Sequence, residues 1–357
     1  MRRLLNLRDG PQTLGRGPAF WSVFGLIVLA AALLPIFVNA FAITNLTYFL
    51  IWVFMALGLS LIWGHAGILS FGQTAFFGLA GYTYSVVSIN LGDAGLWTWF
   101  AFMVSLAMPA ALAVVLGYFM FYGGVREVFV GIVTLSITLV FETFMAQTAG
   151  PEWTIGSARL NGFNGMSNMP PLTFPWGESP VIFDGPALFW LVLALLVVVY
   201  VGLRVLVNSR FGNVLVAIRE NPDRAEMLGY NVRMYQLLVF VIGSVLAGMS
   251  GVLYTLWGSY ITPSSMGLTA AALPIIWVSA GGRKDLTATL LATVLLIWLS
   301  QQLAVKGSQY ALIWMGAILL VVVLFAPEGL FVTVWKKLRT LNRQAAAVPK
   351  AASSSST

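Results

Sequence analysis

The chain is a succession of long apolar stretches broken by short clusters of charge. Residues 17–92, 94–125, 234–282, 286–305 and 307–327 contain no Asp, Glu, Lys or Arg. A helix that crosses a bilayer needs roughly 20 apolar residues, and each run holds one or more such lengths. Strands of a membrane barrel alternate apolar and polar residues over about ten positions, a pattern these continuous runs do not follow. Ten helical spans are predicted, near 20–40, 46–63, 67–90, 97–119, 128–149, 187–206, 234–257, 268–281, 287–304 and 309–327. Two of them are irregular: 67–90 is rich in Gly and polar residues, and 268–281 is short and holds Pro274. Either is open to a break or a re-entrant path, which non-helical backbone follows only where protein covers it. The fold class is therefore all-α, a polytopic membrane protein. An N-terminal segment (1–19) precedes a membrane domain (20–331), and a basic tail (332–357) is expected to be disordered. Within the domain, 150–186 reads as an ordered exterior loop dense in Gly, Pro, Asn and aromatics, and 208–233 as a charged loop on the other face.

Composition agrees. Of the 357 residues, 59% are hydrophobic and 9% charged, against about 25% charged in soluble domains. Val38-Asn39-Ala40 resembles a signal-peptide cleavage site, but the apolar stretch before it, 20–38, exceeds the roughly 7–15 residues of a signal core, and further spans follow. The first span is expected to be retained. There is no cysteine, so disulfides, thiol chemistry and thiolate metal sites are excluded. The net charge of +7 is a topology signal: with the N-terminus inside and ten spans, Arg159 and Lys306 alone among the 19 basic residues fall outside. Both termini are then cytoplasmic. The basic tail, with Lys336, Lys337, Arg339 and Arg343, would also sit well against anionic lipid, and nothing in the charge calls for nucleic acid.

The densest internal charge lies in 209–233. Asn221-Pro222-Asp223 reads as a turn and helix start, with Pro at a tolerated first-turn position. Gly229 supplies the stop. Ala225, Met227 and Leu228 read as an apolar stripe on a short helix along the membrane surface. An ordinary solvated loop would need none of these signals, so the segment is read as a place where a soluble partner pushes. Arg219, Glu220, Asn221, Asp223, Arg224, Ala225 and Gly229 are its candidate coupling residues.

Other candidates lie in the spans. Gly243, Ala247 and Gly251, four residues apart, give span 7 a face for close helix packing. The same stretch holds Gly248-Met249-Ser250-Gly251, which matches the GxSG signature of rhomboid-type intramembrane proteases and would require His65, the only histidine. In rhomboids the serine precedes the histidine; here the order is reversed. Glu142 is an acid well inside span 5, where a charge costs on the order of 3 kcal/mol. It reads either as a structural acid hydrogen-bonded to neighbouring helices or as a substrate or proton site. Ser70, Gln73 and Thr74, amid Gly and Phe, are the pore or substrate candidates. No GxxxxGK[ST] loop, HExxH or metal-ligand spacing is present, so no cofactor is expected and any ATP must be bound by another chain.

At the charged loop the chain resembles the LivM-type permease subunit of branched-chain amino acid importers of the ATP-binding-cassette class. Asp223-Arg224-Ala225 with Gly229 looks like a degenerate permease EAA motif. Arg219-Glu220-Asn221, with Glu226, Asn231 and Val232, is similar to the LivM version. Gly64-x-Ala66-Gly67-x-x-Ser70-Phe71-Gly72-Gln73, Phe76-Phe77-Gly78 and Gly81-Tyr82 are similar to the family's second and third spans, and Ala326-Pro327-Glu328-Gly329-Leu330 to its closing motif. Two departures stand out: Gly281-Gly282-Arg283-Lys284-Asp285-Leu286, and the exterior Ala158-Arg159-Leu160-Asn161-Gly162-Phe163. The resemblance implies a translocation subunit that pairs with a homologous LivH-type permease, two cytoplasmic ATPase subunits and a periplasmic solute-binding protein in the inner membrane. It implies branched-chain amino acids as cargo, with urea or a short amide as the alternative. An ion-coupled secondary carrier relying on Glu142 is a further reading.

Overall fold

A computed structural model describes residues 14–15, 17–92, 95–125, 128–175 and 180–305, together with 313–314, 316–317, 320, 329–333 and 337. Eleven helices occur among the described residues of the main body: α1 (Gly17–Phe37), α2 (Ala40–Leu59), α3 (Gln73–Leu91), α4 (Leu96–Gly117), α5 (Val128–Gln147), α6 (Gly185–Asn208), α7 (Arg210–Glu220), α8 (Pro222–Met227), α9 (Val232–Gly258), α10 (Leu268–Gly281) and α11 (Leu286–Val305). Seven are long and apolar enough to cross a membrane: α1, α2, α4, α5, α6, α9 and α11. α3 and α10 account for two further expected spans, and the tenth, 309–327, lies largely outside the described residues.

Local sequence sets the helix starts. Asn39 accepts from Ala42 N at 2.9 Å, Asn221 from Arg224 N at 2.9 Å and Asn231 from Met234 N at 3.1 Å, opening α2, α8 and α9. Asp285 accepts from Thr287 N and Ala288 N at 3.0 and 3.1 Å at the start of α11. Such side-chain acceptors satisfy amide groups that the first turn leaves open.

α2 and α9 form the centre. The apolar stretch of α1 has none of its residues buried, whereas 72% of that of α2 and 67% of that of α9 are buried. α9 packs on α2, α3 and α4. Its approach to α2 is backbone to backbone: a Cβ on Gly58 would lie 2.7 Å from Gly243 O, and one on Gly243 2.8 Å from Gly58 O. Further along, a Cβ on Gly251 would lie 2.0 Å from Phe77 O of α3, and Ala247 between them is fully buried. The small face of α9 therefore serves two neighbours, with dispersion contact replacing the hydrophobic drive that lipid does not supply.

The span expected at 67–90 is interrupted at its start, whereas 268–281 is the continuous helix α10, with Pro274 inside it, and the non-helical segment lies before it. The chain leaves α2 through a π-helical turn, Ser60–His65, and runs without helix until α3 begins at Gln73, so the span expected from 67 starts six residues later. The freed backbone is held by hydroxyls of α5: Phe71 N donates to Thr134 Oγ1 at 3.1 Å, and Thr138 Oγ1 donates to Phe71 O at 3.3 Å. The second interruption follows α9. Ser259 turns through the left-handed region at φ 50, and Tyr260–Ile261 and a 3-10 turn at Pro263–Met266 lead to α10, whose 14 residues rise about 21 Å. The two interruptions meet where Thr74 Oγ1 donates to Met266 O at 3.5 Å.

The loop expected over 150–186 carries strand pairs that the sequence pattern did not predict. β1 (Thr154–Ile155) pairs with β2 (Ala158–Arg159), and β4 (Thr173–Phe174) with β5 (Val181–Ile182). β3 (Met166–Ser167) pairs with β6 (Tyr260–Ile261), which ties the loop to the second interruption. Side chains at the helix ends anchor it, Ser157 N donating to Asn90 Oδ1 at 2.8 Å and Thr173 N to Thr98 Oγ1 at 3.0 Å, and Arg159 of β2 reaches back with Nη2 to Ala149 O at 3.1 Å.

Candidate coupling surface and interior path

The charged loop folds as two helices, α7 and α8, rather than one. Asn221 makes the corner, with extended backbone (φ -161, ψ 101), its N–H closing α7 and its side chain opening α8. Gly229 follows α8 at φ +87, and a Cβ there would meet nothing, so the backbone turn alone requires glycine. The apolar stripe is split. Ala225 is 2% exposed and packs with Val214, Ile218 and Val232. Met227 and Leu228 are 85% and 76% exposed. Ala225 therefore fixes α8 to the body instead of facing a partner, because successive helix positions point about 100° apart. Asp223, Arg224 and Glu226 are exposed beside the two apolar side chains.

Arg219 joins this surface to the interior. It holds Glu220 in an ion pair at 2.7 Å, and its Nη1 donates to Gly64 O, the carbonyl near the end of the π turn of α2, at 2.5 Å. Its hydrogen bond and charge, with Lys284, hold the Glu220 carboxyl below its usual range. The Cγ of Arg219 also lies against Gly67, at φ +79, where the first interruption begins. The π turn in turn touches the corner between α10 and α11: Ser60 Oγ donates to Arg283 O at 3.0 Å, and Arg283 lies 5.2 Å over the Trp63 ring. A displacement of α7 and α8 thus reaches the first interruption through Gly64 and Gly67, and the second through the Thr74–Met266 contact where the two meet. A cavity of about 330 Å3 lies beneath α8, lined by Gly67, Val125, Arg219, Asp223 and Arg233 among others. Hydrogen bonds to a charged group contribute about 1.5–3 kcal/mol, so Arg219→Ala is expected to lower coupled transport by about tenfold or more. Arg219→Lys, which keeps the charge but not the fork, should recover part of it; uptake normalised to folded protein is the measurement.

Ser70, Gln73 and Thr74 lie at the first interruption and do not line an open channel: they are 0%, 1% and 1% exposed. Ser70 Oγ accepts from Gly72 N at 3.2 Å, whereas neither polar atom of Gln73 has a hydrogen-bond partner among the described residues. Glu142 lies at the second interruption, where a Cβ on Gly267 would come within 2.6 Å of its Oε1. Gly267 is the residue before α10. The Glu142 carboxyl therefore lies at the start of α10, which gives it a structural setting. Glu142→Gln should therefore retain transport, and Glu142→Leu should reduce folded protein; loss of uptake in a well-folded Gln variant would instead establish a proton-linked role.

Two further sites need correction or addition. Ser250 and His65 form no dyad. Gly243 lies level with Ile62 and Gly58, and Ser250 is seven residues, about 10 Å, further along α9 toward the exterior loop, while His65 lies beyond Ile62 at the other end and its Nδ1 is 3.2 Å from Ser60 O. Arg204, read from sequence only as a topology charge, is fully buried. It donates to Tyr200 Oη at 3.0 Å, Thr287 Oγ1 at 3.2 Å and Gly15 O at 2.5 Å, and lies 5.2 Å over the Phe20 ring. Beside it Asp285 accepts from Leu14 N at 2.7 Å; burial pushes that carboxyl up, against the lowering effect of its three backbone donors and Arg204. The signal for Arg204 was its place within the last turn of a span, where a solvated arginine would instead lie past the end.

The family described as branched-chain amino acid transport system permease component matches residues 41–327. The chain belongs to this permease family. It is 25% identical to the high-affinity branched-chain amino acid transport system permease protein LivM of Escherichia coli K12, over 89% of this chain and 76% of that protein. It is 24% identical to LivM of Salmonella typhimurium, over 90% and 77%, and 23% identical to a probable LivM of Methanocaldococcus jannaschii, over 80% and 91%. No solved structure matches the chain. The relatives are transport permeases by name, and the LivM-type resemblance read from the charged loop and the second and third spans is the family found. The permease match runs from the start of α2 through the second interruption and on to 327, so it includes every element that links α8 to the interior.

Proposed function

We propose that this chain is the LivM-type permease subunit of an importer driven by two separate ATPase subunits, which takes up branched-chain amino acids by alternating access beside a LivH-type permease. The observation that carries the reading is α8: it exposes Met227 and Leu228 among charges, while Arg219 connects it to Gly64 and the interior. ATP stays on the partner subunits, and a periplasmic binding protein delivers the cargo to the face bearing β1–β5. Both termini lie in the cytoplasm in this reading, which the bias of Lys and Arg toward that side supports. A helix pair of this kind moves two pore states only if the partner binds them with different affinity. The first selection of cargo rests with the binding protein, since Ser70, Gln73 and Thr74 offer hydroxyl and amide groups but no charge to grip an ion.

Urea or a short amide is the second cargo reading, favoured by the Gln73 amide, which has no hydrogen-bond partner among the described residues. The ion-coupled carrier is disfavoured by the position of Glu142 against α10. The deciding experiment is uptake by the reconstituted complex with its ATPases and binding protein. ATP-dependent accumulation of leucine, isoleucine and valine is expected. Accumulation of urea or an amide with none of the three would replace the cargo and keep the importer, and ATP-independent, proton-driven uptake would replace the importer.

A further inference from the structure

At the ends of α2, α9 and α11 that face the exterior loop, six rings enclose a second cavity, of about 390 Å3: Tyr48, Trp52, Tyr254, Trp257, Tyr260 and Trp277. The box is preformed. Trp52 stacks on Phe77 with centroids 5.0 Å apart and planes at 8°, and Tyr48 and Trp277 lie 5.9 and 5.7 Å from it. Trp257 Nε1 donates to Thr44 O at 2.9 Å, and the Tyr254 and Tyr260 hydroxyls share a hydrogen bond at 2.5 Å. Rings so tied cannot collapse into the space, which is what an empty apolar gap inside a close-packed protein would otherwise invite.

Among the described residues the polar part of the lining is Asn45, Ser300 and Gln301, and no Asp, Glu, Lys or Arg contributes. Gln301 Nε2 donates to Asn45 Oδ1 at 3.1 Å. Among the described residues this leaves Asn45 Nδ2 as a donor and Gln301 Oε1 as an acceptor without a protein partner. The indole N–H of Trp52 is buried with no hydrogen bond of ordinary geometry, although the Tyr48 hydroxyl is near enough to interact with it.

These features select a ligand. The volume falls in the range of small-molecule sites, about 300–1,000 Å3. A ligand with net charge would lose hydration and meet no counter-charge. An ammonium group can lie over aromatic faces, a carboxylate can accept from a side-chain amide, and an apolar side chain gains contact with the indoles. We propose that this cavity is an exterior-facing binding site for a zwitterionic amino acid with an apolar side chain, a site that rests on the importer reading for its place in transport.

The chain has no cysteine, so Ser300→Cys places a single reporter thiol at the rim. The assembled complex is placed in membrane vesicles with this face outward, and a membrane-impermeant thiol reagent is followed on this subunit's gel band. Labelling is expected, and leucine at about four times its Kd should slow it about fivefold by mass action, whereas lysine and glutamate should not. Trp52→Ala should abolish the protection and Trp52→Phe should retain most of it. Leucine uptake by the same Ser300→Cys complex is measured alongside. Normal uptake with labelling that no neutral amino acid slows would overturn the site and leave the importer intact. So would an unlabelled thiol in a transporting complex, which would mean that lipid or the sister permease fills the space. Protection without leucine uptake would keep the site and remove the cargo reading.

Discussion

Gly64→Ala should prevent accumulation of well-folded protein. A Cβ at this position would lie 1.6 Å from Arg283 O, a backbone atom that no rotamer change can move. Relief requires parting the π turn of α2 from the corner between α10 and α11. The hydrogen bonds of Ser60 to Arg283 O and of Arg219 to Gly64 O are then strained together. Overpacking costs about 1–3 kcal/mol, each neutral hydrogen bond about 1 and the charged one about 1.5–3. Helix propensity returns less than about 1 kcal/mol. The sum is a large share of the stability of an ordinary domain, about 5–15 kcal/mol. The check is the yield of monodisperse protein in mild detergent. Gly202→Ala on α6 is the control, since a Cβ there meets nothing within 4 Å, and it should leave the yield unchanged. A Gly64→Ala variant with the parent's yield would show that the corner is not fixed against the π turn.

The second large effect is expected at the proposed docking surface. Met227→Asp with Leu228→Asp should leave insertion intact, because both side chains project from the body while Ala225 anchors α8. Burying each apolar side chain against a partner would contribute about 1.5–3 kcal/mol, and two carboxylates in its place add an unpaired-charge penalty. Association with the ATPase should therefore weaken by about a hundredfold or more, and uptake should fall with it. Copurification of the ATPase with the double variant, at the parent's stoichiometry and with normal uptake, would remove α8 as the contact. Ala225→Asp should behave differently and reduce folded protein, since it buries a charge among Val214, Ile218 and Val232.

These predictions divide along a line that runs through the molecule. The apolar runs alone specified the helices, because a backbone in lipid must satisfy its own hydrogen bonds and a run of about 20 apolar residues leaves no other structure. The same constraint marked 67–90 and 268–281 as irregular from their Gly, polar and Pro content, and the family resemblance was legible in the residues of the charged loop. Local chemistry also fixed the caps at Asn221 and Gly229, which act within a few residues of themselves. What the sequence could not decide was which side chains face which neighbour. Ala225, Met227 and Leu228 are alike in hydropathy, and only the docking of α8 on α7 and α9 turns the first inward and the others out. Arg204 reads as a solvated charge until Gly15, Tyr200 and Thr287, from three separated segments, surround it. The strand pair β3–β6 and the aromatic box join residues about 90 to 250 positions apart, and no short-range pattern encodes such contacts because their stabilisation exists only once the helices have packed. Sequence by itself determined that the chain crosses the membrane many times and marked 67–90 as a place where its backbone would break. Tertiary structure decided that the two breaks meet each other, and that Arg219 connects them to the surface where a partner can act.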